Sequence, residues 1–107
     1  MRRALVGLMK ASGFMPCAFA SGEEFLSSRH LHHTACLIAD IRMPGMSGLE
    51  LQDRLNAMPT RIPTIFITVD ADESTRQRAL AGGAIELLTK PFDDEVLLNC
   101  VRAALVR

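Results

Sequence analysis

The chain has 107 residues, of which 49% are hydrophobic and 22% charged, a composition typical of one folded domain that excludes a disordered or fibrous chain. The 12 Lys and Arg balance the 12 Asp and Glu, which argues against direct nucleic-acid binding, because affinity for phosphate backbones comes from excess positive charge. No apolar run approaches the roughly 20 residues of a membrane span and no leader-peptide cleavage site is visible, so we expect a cytoplasmic protein that does not bind membranes.

Hydrophobic spacing along the chain switches repeatedly between a helical and a strand period, which predicts an α/β domain with a parallel sheet. The chain opens within a helix, because Leu5, Leu8 and Met9 fall on one helical face. Gly13 is placed to end this helix in a left-handed conformation. No internal repeat or linker divides the chain, so we expect a single domain over residues 1–107.

The segment after the first helix, Phe14 to Phe19, is short and apolar. Pro16 interrupts this segment and has no N–H to donate to a ladder, so the segment is predicted as an edge strand. Ser21 and Glu24 form a capping-box pattern, which predicts the start of a second helix.

Three apolar runs further along the chain predict strands that are buried on both faces, with a helix after each. The runs are Cys36 to Ala39, Ile65 to Ile67 and Ala84 to Leu88. The helices are predicted to begin at capping or acidic patterns, which are Ser47 with Glu50, Asp70 with Glu73, and the group Asp93, Asp94 and Glu95. Gly82 and Gly83 are placed to end the middle one of these helices.

Polar residues whose side chains can take part in a reaction follow the three buried strands, namely Asp40, Thr68 and Lys90. Because the carboxyl ends of parallel strands meet at one rim of a sheet, a carboxylate, a hydroxyl and an ammonium group are expected to lie together. This combination is typical of phosphoryl transfer, with the carboxylate as nucleophile, the hydroxyl as donor to a phosphoryl oxygen and the ammonium offsetting negative charge. Each residue alone could be a loop cap or a solvated strand end, but three equivalent strand ends favour the functional interpretation.

These residues lie in segments that resemble the receiver domains of two-component response regulators, most closely those of the FixJ-like kind. The segments are Leu37 to Leu51, which reads LIADIRMPGMSGLEL, Ile65 to Thr68, and Leu88 to Phe92. The resemblance covers essentially the whole chain, and the pattern Asp-x-x-Met-Pro-x-Met-Ser-Gly, with the Thr and the Lys-Pro-Phe at the expected distances, is highly specific. It implies a flavodoxin-like (CheY-like) doubly wound parallel sheet.

The resemblance also implies roles for individual residues. Asp40 would accept a phosphoryl group from the phosphohistidine of a sensor histidine kinase, and Thr68 and Lys90 would contact that group, with the bond between Lys90 and Pro91 in the cis form. The Asp40 carboxylate and the backbone carbonyl of Arg42 would bind Mg²⁺. Such a domain is a phosphoacceptor and not a turnover enzyme, and it would act on a downstream protein or on a second copy of itself.

The chain departs from the family pattern at its start. Family members begin with a central buried strand that ends in a pair of acidic residues, which hold Mg²⁺, whereas this chain begins at the first helix. We therefore expect an N-terminally truncated receiver domain with weak Mg²⁺ binding, explained by a misplaced start codon or a truncated gene. Leu87 replaces the usual aromatic residue and Val69 the usual small one, so we also expect weaker coupling between Asp40 and the surface of the last helices.

Two other classes of protein share some of these sequence features. A degenerate receiver that binds a partner without being phosphorylated would also lack the acidic pair. A dehalogenase-type phosphatase likewise uses a strand-end Asp, Thr and Lys, but it normally has a second acid two residues after the nucleophile, where this chain has Arg42. Two further groups are interpreted as structural: His30, His32 and His33 as a solvated loop, and Cys17, Cys36 and Cys100 as small core residues.

Overall fold

The computed structural model describes residues 2–106, so the two ends of the predicted domain, Met1 and Arg107, lie outside the described residues. The helices are α1 (Arg2–Ala11), α2 (Gly22–Leu26), α3 (Gly48–Asn56), α4 (Glu73–Ala81) and α5 (Asp94–Leu105). The strands are β1 (Leu37–Asp40), β2 (Thr64–Thr68) and β3 (Glu86–Thr89), and a 3-10 helix spans Leu31–His33. Among the described residues, no helix is long and apolar enough to cross a membrane.

The three strands form one parallel sheet in the order β1-β2-β3. All five residues of β2 are buried, as expected of a central strand whose two faces are covered by helices. Asp40 lies opposite Ile67, and Thr68 lies opposite Thr89. This register brings the carboxyl ends of all three strands to the same edge of the sheet.

Helices pack on both faces of the sheet, around two separate apolar clusters. On one face, Phe25 of α2, Leu51 and Leu55 of α3 and Ala79 of α4 form a cluster with Phe66 of β2. On the other face, Met9 of α1 and Leu97 and Val101 of α5 form a cluster with Ile65 and Ile67 of β2. Neighbouring β2 residues contribute to opposite clusters because strand side chains alternate between faces. The predicted doubly wound α/β architecture is therefore confirmed.

Most of the predicted helix ends are confirmed. Ser47 and Glu50 form a complete capping box at α3, with the Ser47 hydroxyl accepting from the Glu50 N–H and the Glu50 carboxylate accepting from the Ser47 N–H. Gly13 and Gly83 follow α1 and α4 with positive φ values of 89° and 101°. Asp93 caps α5.

The predicted cap of α4 is wrong by two residues. Asp72 is the N-cap, because its Oδ1 accepts a hydrogen bond of 2.7 Å from the N–H of Thr75. This bond and the positive end of the helix both favour a charged carboxylate, and the pKa of Asp72 is accordingly lowered. Asp70 lies before the helix, and its carboxylate does not cap α4.

The predicted edge strand from Phe14 to Phe19 is absent from the described structure. A strand needs a neighbouring strand within hydrogen-bonding distance, and within residues 2–106 the outer edge of β1 is not paired with any strand. An apolar cleft of about 950 Å³ lies between this segment and β1. The segment therefore runs along the cleft as irregular chain, and Pro16 could not have donated to a ladder in any case.

The last strand is also displaced from its predicted position, Ala84 to Leu88, and covers Glu86–Thr89. The N–H of Ala84 donates to the carbonyl of Ala79 at the end of α4, at 3.1 Å. Ala84 is thus part of the helix terminus, and the sheet begins only after the chain has turned.

The cysteines are less buried than predicted. Cys17 is exposed, because the segment that carries it is not a strand, whereas Cys36 and Cys100 are partly buried. Burial, with a smaller contribution from Cys100, raises the pKa of Cys36 to about 11. Since the thiolate is the reactive form, Cys36 is a poor nucleophile at neutral pH.

We predict that iodoacetamide at pH 8 modifies Cys17 much faster than Cys36, because Cys17 is exposed and Cys36 is held as the thiol. Peptide mapping by mass spectrometry would measure the two rates. In concentrated urea the two rates should become similar, which serves as the control. Equal rates in the native protein would contradict the described burial.

Gly48, the first residue of α3, lies against the end of β1. A Cβ atom at this position would lie 2.5 Å from the carbonyl oxygen of Asp40 and 3.1 Å from the ring of Phe66. We predict that Gly48→Ala lowers the free energy of unfolding by about 1–3 kcal/mol, because backbone and core must both shift. Urea unfolding would measure this change.

Gly7 provides the matched control, since it lies inside α1 with open space around it. There, Gly→Ala should raise the free energy of unfolding by roughly 0.5–1 kcal/mol, because it reduces the entropy of the unfolded chain. A loss of stability at position 7 as large as that at position 48 would show that contact with β1 is not the cause.

Candidate functional site

The Asp40 carboxylate lies at the carboxyl end of β1 and accepts two hydrogen bonds. Its Oδ1 accepts from the backbone N–H of Arg42 at 3.0 Å, and its Oδ2 accepts from Nζ of Lys90 at 3.3 Å. The side chains of Asp40 and Lys90 are 22% and 24% exposed. The ion pair is therefore shielded from bulk water on most sides but remains open to a small reactant.

Lys90 reaches Asp40 because the chain after β3 is tied to the end of β2. The backbone N–H of Lys90 donates to the carbonyl oxygen of Thr68 at 2.7 Å, and the bond between Lys90 and Pro91 is cis, as predicted. The lysine side chain thus spans the end of the central strand. The predicted approach of the carboxylate and the ammonium group is confirmed.

Thr68 is completely buried, and its hydroxyl is engaged within its own loop. The hydroxyl donates to the backbone carbonyl of Asp70 at 3.1 Å and accepts from the Asp70 N–H at 3.4 Å. The structure therefore places Thr68 at the predicted rim, but its hydroxyl is bonded to the Asp70 backbone and not to Asp40 or Lys90.

Arg42 and Asp70 form an ion pair between the loops that follow β1 and β2. The Nη2 of Arg42 lies 3.9 Å from Oδ2 of Asp70, and the side chains are 72% and 79% exposed. The sequence analysis missed this role of Asp70. A signal was present, since Arg42 and Asp70 each lie two residues after the polar residue of their own strand end.

Leu87 and Val69, the two residues that depart from the family pattern, lie in different environments. Leu87 is buried opposite Phe66 on the adjacent strand and packs in the apolar cluster on that face. Val69 is largely exposed next to Thr68. Neither side chain can form a hydrogen bond. The weaker coupling between Asp40 and the surface of the last helices stays a prediction.

The donor set for a divalent cation is small at this rim. Mg²⁺ takes oxygen ligands and is held in phosphate-binding proteins by one or two carboxylates together with water and phosphate oxygens. The Asp40 carboxylate lies at this rim next to the Arg42 backbone, and carboxylate and carbonyl oxygens are ligands that Mg²⁺ accepts. Within residues 2–106, no group of three or more His, Cys, Asp or Glu could enclose a metal.

The three histidines also form no metal site in the described part of the chain. His32 and His33 are exposed, and His32 contacts the Thr60 hydroxyl through Nδ1 at 3.3 Å. The ring of His30 lies against Phe19. The predicted solvent exposure is confirmed for His32 and His33, but these two residues lie in a 3-10 helix and not in a loop, and His30 is partly buried.

Comparison with known proteins agrees with this geometry. Residues 1–102 match the family described as the response regulator receiver domain, and the chain belongs to this family. Receiver domains are phosphoacceptor signalling domains of two-component systems, interact with sensor histidine kinases and bind Mg²⁺ at an acidic pocket.

Individual relatives are similar over nearly the whole chain. Nodulation protein W of Bradyrhizobium diazoefficiens is 44% identical over 107 residues, which are 100% of this chain and 47% of that protein. The structure of response regulator StyR matches with a TM-score of 0.91 and 40% identity, over 99% of this chain and 54% of that one. FixJ-N matches with a TM-score of 0.88 and 31% identity, over 99% of this chain and 85% of that one. The chain thus spans about half the length of the curated relatives it matches.

Proposed function

We propose that residues 1–107 are a receiver domain that takes a phosphoryl group from a sensor histidine kinase onto Asp40. The observation that carries this proposal is the Asp40 carboxylate, which is mostly buried and lies 3.3 Å from the Lys90 ammonium group. A carboxylate in this position is a nucleophile with a cation already in place for the incoming negative charge. The signal would then pass to a downstream protein or a second copy of the chain, in the cytoplasm.

The chemistry assigned to the site is a single displacement at phosphorus. An Asp40 carboxylate oxygen forms the new bond to phosphorus, the bond between phosphorus and the imidazole nitrogen of the kinase breaks, and the imidazole leaves with that electron pair. The Lys90 ammonium group then donates to a phosphoryl oxygen. One phosphoryl group is accepted at each site, which makes the domain a signalling component and not a turnover enzyme.

Thr68 completes the proposed site after a change of hydrogen-bond partner. Its hydroxyl bonds the Asp70 backbone in the structure and would donate to a phosphoryl oxygen once the dianion is present. A hydrogen bond to a charged acceptor is stronger than one to a neutral carbonyl, so the exchange is favourable.

Mg²⁺ would be held by the Asp40 carboxylate and the Arg42 carbonyl, and it would supply positive charge to the phosphoryl oxygens. With only these two protein ligands, we propose that the ion binds weakly and takes most of its ligands from water and phosphate. The Lys90 side chain already provides one of the positive charges that the transferred group needs.

We predict that incubation with Mg²⁺ and a small acylphosphate donor adds one phosphoryl group to the protein, and that Asp40→Asn abolishes this addition. Intact-protein mass spectrometry would measure the adduct. Asp53→Asn is the matched control, because Asp53 is an exposed carboxylate on α3 that pairs with Arg78 outside the site, at 3.3 Å. This control should be phosphorylated like the unaltered chain.

Within residues 2–106, Asp40 belongs to no group of three or more metal-binding side chains, which also favours a second candidate function, that of a receiver which binds a partner without phosphorylation. Circular dichroism of the same samples separates the two proposals. Folded protein that takes no phosphoryl group would favour the interaction module, whereas an adduct that persists in Asp40→Asn would place the acceptor elsewhere.

A second prediction concerns the lysine. Lys90→Ala should slow phosphorylation by the small donor by about 10²-fold, because one group that stabilises the developing charge is lost. Lys10→Ala, at an exposed position of α1, alters the other lysine of the chain and should leave the rate unchanged. A rate in Lys90→Ala equal to that of the control would remove Lys90 from the mechanism.

A further inference from the structure

A cavity of about 550 Å³ lies at the edge of the sheet opposite to Asp40. Its walls come from α3, from the end of α5 and from the segments that precede the three strands. Because the strands are parallel, all three begin at this edge and end at the rim that carries Asp40. The cavity is therefore separate from the site of the proposed phosphoryl transfer.

Two carboxamide side chains of α3, Gln52 and Asn56, line the cavity. The Nε2 of Gln52 donates to the carbonyl oxygen of Ala79 at 2.8 Å, and the Nδ2 of Asn56 donates to that of Gly82 at 2.8 Å. Both bonds use the amide nitrogen, so the oxygen of each carboxamide is left as an acceptor. Residues four apart lie on the same face of a helix, which brings the two acceptors to one wall of the cavity.

Gln52 is a buried polar side chain, with only 5% of its surface exposed. Every fully buried side-chain nitrogen or oxygen in residues 2–106 has a hydrogen-bond partner. The bond described for Gln52 is made by Nε2, so Oε1 is the atom that reaches the cavity. A Cβ atom at Gly82 would lie 2.5 Å from this oxygen, so the carboxamide fits only because residue 82 has no side chain. The acceptor is thus part of the packing between α3 and the end of α4.

The remaining walls restrict the charge of a ligand. Within residues 2–106, no Asp or Glu lines the cavity, whereas the exposed Arg61 does. A cationic ligand would therefore meet a positive charge without a compensating carboxylate. An anionic head group would leave the carboxamide oxygens without donors. Because Leu55, Ile62 and Leu105 add apolar surface, a neutral N–H donor on an apolar body matches the walls best.

We propose that this cavity binds a small neutral amide, whose N–H groups donate to Oε1 of Gln52 and Oδ1 of Asn56 and whose apolar body lies against Leu55 and Ile62. The volume is within the range of about 300–1,000 Å³ that small-molecule sites occupy. Such a ligand would contact α3 and the segment after α4 together. The cavity thus gives the domain a small-molecule site that does not depend on the proposed function of Asp40.

Three compounds of the same shape test the proposal, namely benzamide, benzoate and benzamidine. Benzamide has neutral N–H donors, benzoate is negative and has no donor, and benzamidine has donors with a positive charge. In titrations followed by nuclear magnetic resonance, benzamide should shift the side-chain NH2 signals of Gln52 and the amide signals of Gly82 and Gly83 to saturation. Benzoate and benzamidine should bind about tenfold more weakly, because each leaves a polar group unpaired. Equal affinity for all three, or no saturable shift with benzamide, would overturn the proposal.

Variants assign the two acceptors. Asn56→Ala removes an acceptor at an exposed position and should weaken benzamide binding about two- to tenfold, as expected for one hydrogen bond. Gln52→Ala should weaken it at least as much, and circular dichroism checks the fold because a buried bond to Ala79 is also lost. Asn99→Ala is the matched control, since Asn99 is an exposed asparagine on α5 that bonds Arg102 outside the cavity. Weakening in Asn99→Ala as large as in Asn56→Ala would contradict the assignment.

A charge change at Asn56 separates ligand contact from a structural role. Asn56→Asp places a carboxylate where the amidinium group of benzamidine would lie, so this variant should bind benzamidine about tenfold more tightly than the unaltered chain. Asn99→Asp carries the same charge change outside the cavity and should show no such gain. A residue that only joins α3 to α4 would not change the preference between benzamide and benzamidine. An unchanged preference in Asn56→Asp would therefore overturn the proposed contact.

Discussion

Complete burial of β2 is the constraint on which the rest of the structure depends. All five residues of this strand are buried, with α1 and α5 on one face and α2 to α4 on the other. Its neighbours on both sides run parallel to it, and their register with β2 sets where each of them ends. The carboxylate of Asp40 and the ammonium group of Lys90 meet because each follows a strand that pairs with β2. The chemistry at the rim is thus a consequence of how the apolar core is covered.

The rim itself is an arrangement of charges that satisfy one another at rest. The Asp40 carboxylate has a cation on one oxygen and a backbone donor on the other, while Arg42 is held by Asp70. The Lys90 ammonium group and the Thr68 hydroxyl also have partners, the Asp40 carboxylate and the Asp70 backbone. Under the proposed function, phosphorylation would therefore exchange hydrogen-bond partners between groups that are already in place.

The sequence predicted the parts of this molecule that depend on local pattern and burial. Asp40 and Lys90 could be placed together because each follows an apolar run, and parallel strands present such residues at one edge. The partner of the Thr68 hydroxyl could not be predicted, since it depends on the path of a loop. The spacing of Asp70 and Glu73 predicts a helix cap at Asp70, but Asp72 has the better geometry with Thr75. The apolar composition around Pro16 predicts a strand, although a strand also requires a partner.

The open side of β1 has a consequence for the local stability of the sheet. The N–H groups of Leu37 and Ile41 donate to the chain that includes β2, so the alternate N–H groups of Ile38 and Asp40 point toward the cleft. Amide protons in β2 are enclosed by both neighbours and are expected to exchange with solvent only when the domain opens globally, whereas those on the cleft side of β1 are expected to exchange through small local movements. Asp40 thus lies at the boundary between the enclosed and the open side of the sheet, where a carboxylate can be held in place while its surroundings still adjust.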